Sequence, residues 1–320
     1  MAETNNLKCP LCTEILSAGG YVAEFAPRTG ATCFRLYNKP LNSEIFRYPQ
    51  SEKHRRANVY LFGNPILFPP NRIRGGRFVF NGKEYVFPLN EPQTGCSIHG
   101  NLLNLPFCCV LKTETEIVFK YSAKAGEYLG FPHDFSVLRH YKLGENGLEE
   151  FTVITNDGKT EMPVMLAYHT TLNLKFGGDE NDVRLEVPVA YEYLRDKNFL
   201  PTGEKAGGRP RDEELSNGTF KPANGAFSAF YKANESLLTS LFTNDKSGIS
   251  LRYTCDKSFG YRMLYRGNGD DFAVTEPQTC AIDCFHLGEE PENLGLIVLN
   301  GGESKTFYTK IEELPSIGRT

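Results

Sequence analysis

Arg77-Phe78-Val79-Phe80-Asn81-Gly82-Lys83-Glu84-Tyr85-Val86-Phe87 decides the fold class. Asn81-Gly82 stands between two short runs of alternating aromatic or β-branched and polar residues. Asn and Gly tolerate the left-handed backbone that a two-residue turn needs, so the stretch predicts a β-hairpin. The pattern recurs along the chain. Ser136 to Asp157 predicts a second hairpin with Asn146-Gly147 at its tip. Glu116 to Ser122, Val183 to Tyr193, Ile249 to Cys255 and Leu296 to Ile311 predict further strands, the last interrupted by the turn Asn300-Gly301-Gly302. Helical periodicity is poor throughout, and 30 Gly with 19 Pro punctuate the chain at short intervals. Short helices are expected in places, for example near Asn234 to Leu241, but not as a layer. Thr202 to Asn224, dense in Gly, Pro and charge, predicts a long loop of functional interest. The expected fold is all-β, a large antiparallel β-sandwich with few short helices, formed by residues 1–320 as one domain with 1–18 as an N-terminal extension. The alternative is two smaller β domains divided within 158–182.

Composition narrows the function classes. Lys plus Arg number 35 against 39 Asp plus Glu, a net charge of −4, and such a chain lacks the basic excess of a dedicated nucleic-acid binder. No apolar run approaches a membrane span, and the start carries no export-signal pattern, so a cytoplasmic protein with thiol cysteines is expected. Cys9 and Cys12 form a C-x-x-C, but no second pair completes a structural zinc site. Cys33, Cys96, Cys108, Cys109, Cys255, Cys280 and Cys284 read as small core residues. The tetrapeptide Glu-Pro-Gln-Thr occurs at 91–94 and 276–279 in unlike flanks and reads as a chance echo.

The six histidines show no helical metal-binding spacing, and nucleophile-elbow, P-loop and dinucleotide fingerprints are missing. Acid–base chemistry by His and carboxylate is what remains. Three segments stand out: Gly63 to Phe78, with Asn71-Arg72 after an apolar, Pro-rich run; Ser97-Ile98-His99-Gly100; and Leu166 to Leu174, with His169 inside a strand-like run. Read singly, each His fits a hydrogen-bonded structural residue better than a catalytic one.

Together the segments resemble the aldose 1-epimerase (galactose mutarotase) family. Its P-x-L-F-P-x-x-N-R-I-x-x-G-x-F, hairpin N/D-G-K-x-Y and I-H-G stand in order from Pro65 to Gly100. Its second strand His before L-N-L resembles His169 to Leu174, its P-T-G Pro201 to Gly203, its E-P-x-T-type segment Glu276 to Thr279, and its closing turn and strand Leu299 to Ile311. The resemblance implies a large antiparallel β-sandwich with an open sugar cleft and interconversion of the α and β anomers of free hexoses, with no metal or redox cofactor.

By position it implies Glu276 as the base that takes the anomeric hydroxyl proton and His169 as the acid that protonates the ring oxygen. His99 would support that protonation, and Arg72, with its neighbour Asn71, would hold sugar hydroxyls. Reference pKa values would make Glu276 an ionised acceptor and leave His169 protonated beside it. The family Asp that holds a further hydroxyl is replaced by Asn224 in Asn224-Gly225-Ala226-Phe227, unless Asp212 serves instead. The expected partner is a small sugar, with neither nucleic acid nor membrane, on a monomer or homodimer. Two alternatives stay open: a hexose-6-phosphate epimerase, with Arg72, Arg74 and Arg77 as its cationic cluster, and a sugar-binding protein without catalysis. A glycoside hydrolase, which needs a second carboxylate, is more distant.

Overall fold

The computed structural model describes residues 9–145, 147–234 and 238–314. The Asn81-Gly82 hairpin forms as predicted, Arg77–Phe80 against Lys83–Val86, with φ of 48° at Asn81 and 71° at Gly82. Phe78, Phe80 and Tyr85 are buried while Val79 and Val86 face solvent, the alternation that period-2 patterning requires.

Two eight-stranded antiparallel sheets make the body. The first runs, in spatial order, Cys108–Lys112, Glu116–Ala123, Phe135–Gly144, Gly147–Asn156, Ser304–Leu314, Ile249–Cys255, Thr239–Asn244 and Val183–Glu186. The second runs Pro201–Ala206, Val189–Arg195, Phe227–Ala233, Tyr261–Arg266, Phe272–Gln278, Ala167–Tyr168 and Ile66–Leu67, with Thr170–Asn173 also paired to Phe272–Gln278. A four-stranded sheet from Glu14–Ala18 to Ser43–Glu44 completes one end. From Cys9 onward the expected N-terminal extension is therefore packed structure. One main hydrophobic cluster joins the sheets, and Phe259 meets both Tyr168 and Phe307 across it. This is the expected β-sandwich.

A buried polar bridge crosses the same interior. Arg139, fully buried on the first sheet, pairs with Glu150 at 2.7 Å and donates to the Asn64 carbonyl, while Asn64 Nδ2 donates to Glu150. Breaking such a pair by removing one partner costs about 3–5 kcal/mol. Asn64 leads into Pro65, whose carbonyl receives the His169 backbone N–H at 3.0 Å, so this bridge anchors a site segment.

Several sequence expectations change. Residues 202–224 are not a long loop: they hold the end of strand Pro201–Ala206, helix Pro210–Asn217 and the 3-10 turn Pro222–Asn224. Pro210 at the first helical turn and left-handed Gly218 after the last supply the start and stop signals. Val183 to Tyr193 divides at Pro188, which lacks the N–H a continuous ladder needs. The helix predicted near Asn234 to Leu241 falls partly outside the described residues, and from Thr239 the chain is strand. Asn146 also lies outside the described residues. Cys108 and Cys109 are exposed rather than core, because their strand is a sheet edge with no cover. The described residues show no helix long and apolar enough to cross a membrane.

Candidate active site

The predicted hairpin is nested between two short strands that matter more. Arg72–Arg74 pairs with Cys96–Ile98, Arg72 opposite Ile98. That pairing sets Asn71 beside His99. The His99 N–H donates to the Asn71 carbonyl at 2.9 Å, and the Asn71 N–H donates to His99 Nδ1 at 3.1 Å. Both residues sit at positive φ, 52° and 61°, which Asn and His tolerate better than most side chains. Gly100 follows at φ 57°, where a Cβ would lie 1.9 Å from the Phe68 carbonyl oxygen, so only glycine fits. The Tyr128 hydroxyl donates to that same carbonyl and accepts from the Asn101 N–H.

His169 falls between strands Ala167–Tyr168 and Thr170–Asn173, which pair with Gln278 and with Thr275 to Phe272. The register leaves His169 facing Glu276, with His169 Nε2 3.2 Å from Glu276 Oε1. The other oxygen, Oε2, accepts from Gln278 Nε2 at 2.8 Å. The rings of His99 and His169 meet edge-on at 5.4 Å, and Tyr60 packs on both. His99, His169 and Glu276 are 5%, 6% and 2% exposed.

Burial dominates the electrostatics. It pushes the Glu276 carboxyl up to about 8 and the His169 imidazole down to about 3, and it holds His99 well below the usual histidine range. The sequence expectation of an ionised Glu276 beside a protonated His169 rested on values for exposed groups. Burial therefore favours the uncharged pair. Moving the carboxyl proton to His169 Nε2 turns it into an ion pair with no change in net charge, and the Arg72 and Arg195 guanidinia favour the carboxylate. His99 is a neutral donor: Nδ1 is occupied by the Asn71 N–H, so Nε2 carries the proton.

These groups line a cavity of about 280 Å³ with Asn71, Arg72, Glu91, Arg195, Ser228 and Tyr265. Arg72 is held by Glu91 through two hydrogen bonds of 2.6 and 2.7 Å. Five of the six residues predicted for the site converge here. The sixth, Asn224, sits in its 3-10 turn outside the lining, and Asp212 is bound to Arg209 and Tyr231 away from the cavity. Sequence reasoning missed Tyr60, Glu91, Arg195, Phe199, Ser228, Met263 and Tyr265. Only Glu91 leaves a sequence trace, as the first Glu-Pro-Gln-Thr, and the repeat expected to be a chance echo places a glutamate of each copy at this cavity.

Donor atoms of His99, His169 and Glu276 lie within 4.8 Å of one another, as ligands of a cation could. A metal would need a lone pair on His99, but the Nδ1 lone pair already receives Asn71 and Nε2 holds the proton. The trio suits a hydroxylated ligand, which both donates and accepts.

A model of the aldose 1-epimerase family matches residues 16–312. The chain belongs to the aldose 1-epimerase family. It is 30% identical over 212 residues to a galactose mutarotase of Mus musculus, a match covering 59% of each chain, so it spans under two thirds of that relative. It is 23% identical over 251 residues to the Escherichia coli protein YphB, covering 76% of this chain and 80% of that one. Among solved structures, a galactose mutarotase-like protein from Clostridium acetobutylicum superposes with a TM-score of 0.86 at 24% identity over 94% of both chains. A galactose 1-epimerase from Lactobacillus acidophilus gives 0.71 at 15% over 92% of both. Within this aldose 1-epimerase fold, the cavity lies on one face of the second sheet, where Glu276 stands directly opposite Met263.

Proposed function

We propose that the protein interconverts the α and β anomers of an aldohexose by acid–base ring opening. The observation that carries this is the contact of the buried His169 Nε2 with the buried Glu276 Oε1 at the wall of a cavity that also holds the His99 donor. In the ion-pair form the Glu276 carboxylate takes the proton of the anomeric hydroxyl while the His169 imidazolium protonates the ring oxygen. The C1–O5 bond breaks, C1 becomes a carbonyl, and the pair is left uncharged. Rotation about C1–C2 and the reverse transfers close the ring from the other face. Burial favours the uncharged pair and thus the open-chain state, while the nearby guanidinia favour the ion pair. Without a sugar the balance lies with the uncharged pair, and the reaction passes through the ion-pair form when the anomeric hydroxyl and ring oxygen take part in the transfers. His99 Nε2–H donates toward the same oxygen, and Arg72, fixed by Glu91, presents its remaining N–H to hydroxyls.

The phosphate reading built on Arg72, Arg74 and Arg77 loses its cluster. Arg72 is committed to Glu91, Arg74 to Asp283 and Arg77 to Glu84, and the last two are more than half exposed. Polarimetry of freshly dissolved α-glucose and α-galactose tests the function. Enzyme-accelerated mutarotation that His169→Asn and Glu276→Gln each slow by about 10²–10⁴-fold is expected, with both variants folded. Tight sugar binding without acceleration would instead indicate a binding protein.

A further inference from the structure

We propose that Gln278 is a positioning residue of this reaction: its buried amide holds one oxygen of the Glu276 carboxyl, leaves the other to meet His169 and the sugar, and stabilises the carboxylate that starts the proton transfer; this rests on the anomer-interconversion reading above. Glu276 and Gln278 stand two residues apart on the strand Phe272–Gln278, so their side chains leave the same face of the sheet. Gln278 Nε2 donates to Glu276 Oε2 at 2.8 Å, while Glu276 Oε1 lies 3.2 Å from His169 Nε2. Gln278 is fully buried and is not part of the cavity lining, so it acts on a sugar only through Glu276. Its place is fixed by the sheet. It pairs with Ala167 on one side and Tyr261 on the other. The next residue, Thr279, donates its N–H to the Leu166 carbonyl at 2.9 Å and accepts the Leu166 N–H on Oγ1 at 3.0 Å.

The amide makes this contact at a cost. Its own Oε1 is buried with no hydrogen-bond partner among the described residues, an unfavourable state for a carbonyl oxygen. An apolar side chain such as Met would fill similar space without that penalty, so packing alone does not call for glutamine here. The first Glu-Pro-Gln-Thr makes the contrast: Gln93 is exposed, and Thr94 rather than the glutamine donates to Glu91. The ionisable groups around Glu276 come from several elements. His169, His99, Arg72 and Arg195 share its cavity, with Tyr60, Glu91 and Tyr265 also in the lining, and Tyr261 stands opposite Gln278. Burial raises the carboxyl, and the Gln278 hydrogen bond is the largest influence against that rise, ahead of Arg72 and Arg195. An N–H donor favours the carboxylate over the acid because the anion is the stronger acceptor. The reaction passes through the ion-pair form, in which Glu276 is ionised. Loss of the donor should therefore make that form rarer and the carboxyl harder to deprotonate by the same factor.

The test compares wild type with Gln278→Met, which loses the donor, and Gln278→Glu, which donates only while protonated. Polarimetry with glucose and galactose gives kcat and KM from acid to alkaline pH, and carbon-13 NMR follows the Glu276 carboxyl. Gln278→Met should lower kcat by about 10–100-fold with KM changed only a few-fold. The alkaline fall in rate and the Glu276 midpoint should both move above 8, by about one to two pH units. The two effects should match, about tenfold in kcat for each pH unit, because both report one lost hydrogen bond. Gln278→Glu should outperform Gln278→Met in acid and lose that advantage as its new carboxyl ionises. A folded Gln278→Met with kcat within about twofold of wild type would overturn the proposal. A fall in kcat with the alkaline limb and the midpoint unmoved would also overturn it, since packing alone would do that; the anomer reading would stand in both cases. If wild type accelerates neither sugar, the anomer reading fails and takes this inference with it. Should Gln278→Met not fold, Gln278→Glu decides, and a rate as level through neutrality as that of wild type would overturn the proposal.

Discussion

The two Glu-Pro-Gln-Thr copies bring two glutamates to one cavity in opposite electrostatic states. Glu91 opens a turn in which Thr94 and Cys96 fold back on it, and its carboxylate grips Arg72 in a bidentate pair. Burial works against its charge, but the hydrogen bonds from Arg72 and Thr94 outweigh it and hold the carboxyl below its ordinary range. Glu276 sits inside a central strand with all seven residues buried, and its contacts are Gln278 and His169 rather than a paired cation. There burial wins and the carboxyl rises to about 8. One tetrapeptide therefore yields a fixed structural anion and a group able to exchange a proton. The difference comes from what each strand or turn packs against.

The largest expected effect separates the two in catalysis. Glu276→Gln should lower kcat by about 10²–10⁴-fold, because the amide cannot take the anomeric proton. Glu91→Gln should leave kcat within a few-fold and raise KM, because it frees Arg72 without touching the proton path. Polarimetric progress curves over a range of sugar concentrations measure both, and equal losses in kcat would erase the distinction.

Stability should divide them next, with opposite signs. A raised carboxyl pKa means the folded protein holds its proton more tightly than the unfolded chain, so Glu276 costs stability as pH rises from about 4.5 through about 8. Glu276→Gln should therefore be more stable than wild type at pH 9, by on the order of a few kcal/mol, and nearly equal to it at pH 4. Glu91 has a lowered pKa, so its contribution is present above the ordinary carboxyl range and lost as pH falls through its folded value. Glu91→Gln should be destabilised by about 1 kcal/mol at pH 7, with the gap closing in acid. Urea unfolding of both variants at pH 4, 7 and 9 reads these signs.

The pH–rate profile gives a smaller, sharper test. Above about pH 8 the Glu276–His169 pair loses its transferable proton, and a carboxylate beside a neutral imidazole has no acid to give the ring oxygen. The kcat/KM of wild type should be level through neutrality and fall as pH rises through about 8. A rise there would mean that Glu276 acts alone as a base and that His99 supplies the acid.

Much of this was legible in sequence. Asn81-Gly82 announced its hairpin because two consecutive left-handed residues are a local requirement, satisfied without help from distant chain. Asn71, His99 and His169 were legible from ordered motifs, and the sheet register brings them together as expected. Three things were not legible. The strand, helix and turn within 202–224 answer to cap signals at Pro210 and Gly218 that a loop-like composition obscured. Arg195, Ser228 and Met263 come from three strands whose adjacency only the sheet order fixes. The protonation of Glu276 depends on burial, which a sequence position does not display.

Carbon-13 NMR of glutamate carboxyls, with Glu276 and Glu91 assigned through the two Gln variants, measures the central contrast directly. The signal lost in Glu276→Gln should titrate with a midpoint near pH 8 in the sugar-free protein, and the signal lost in Glu91→Gln below the ordinary carboxyl value. Two signals titrating together near 4.5 would contradict the account.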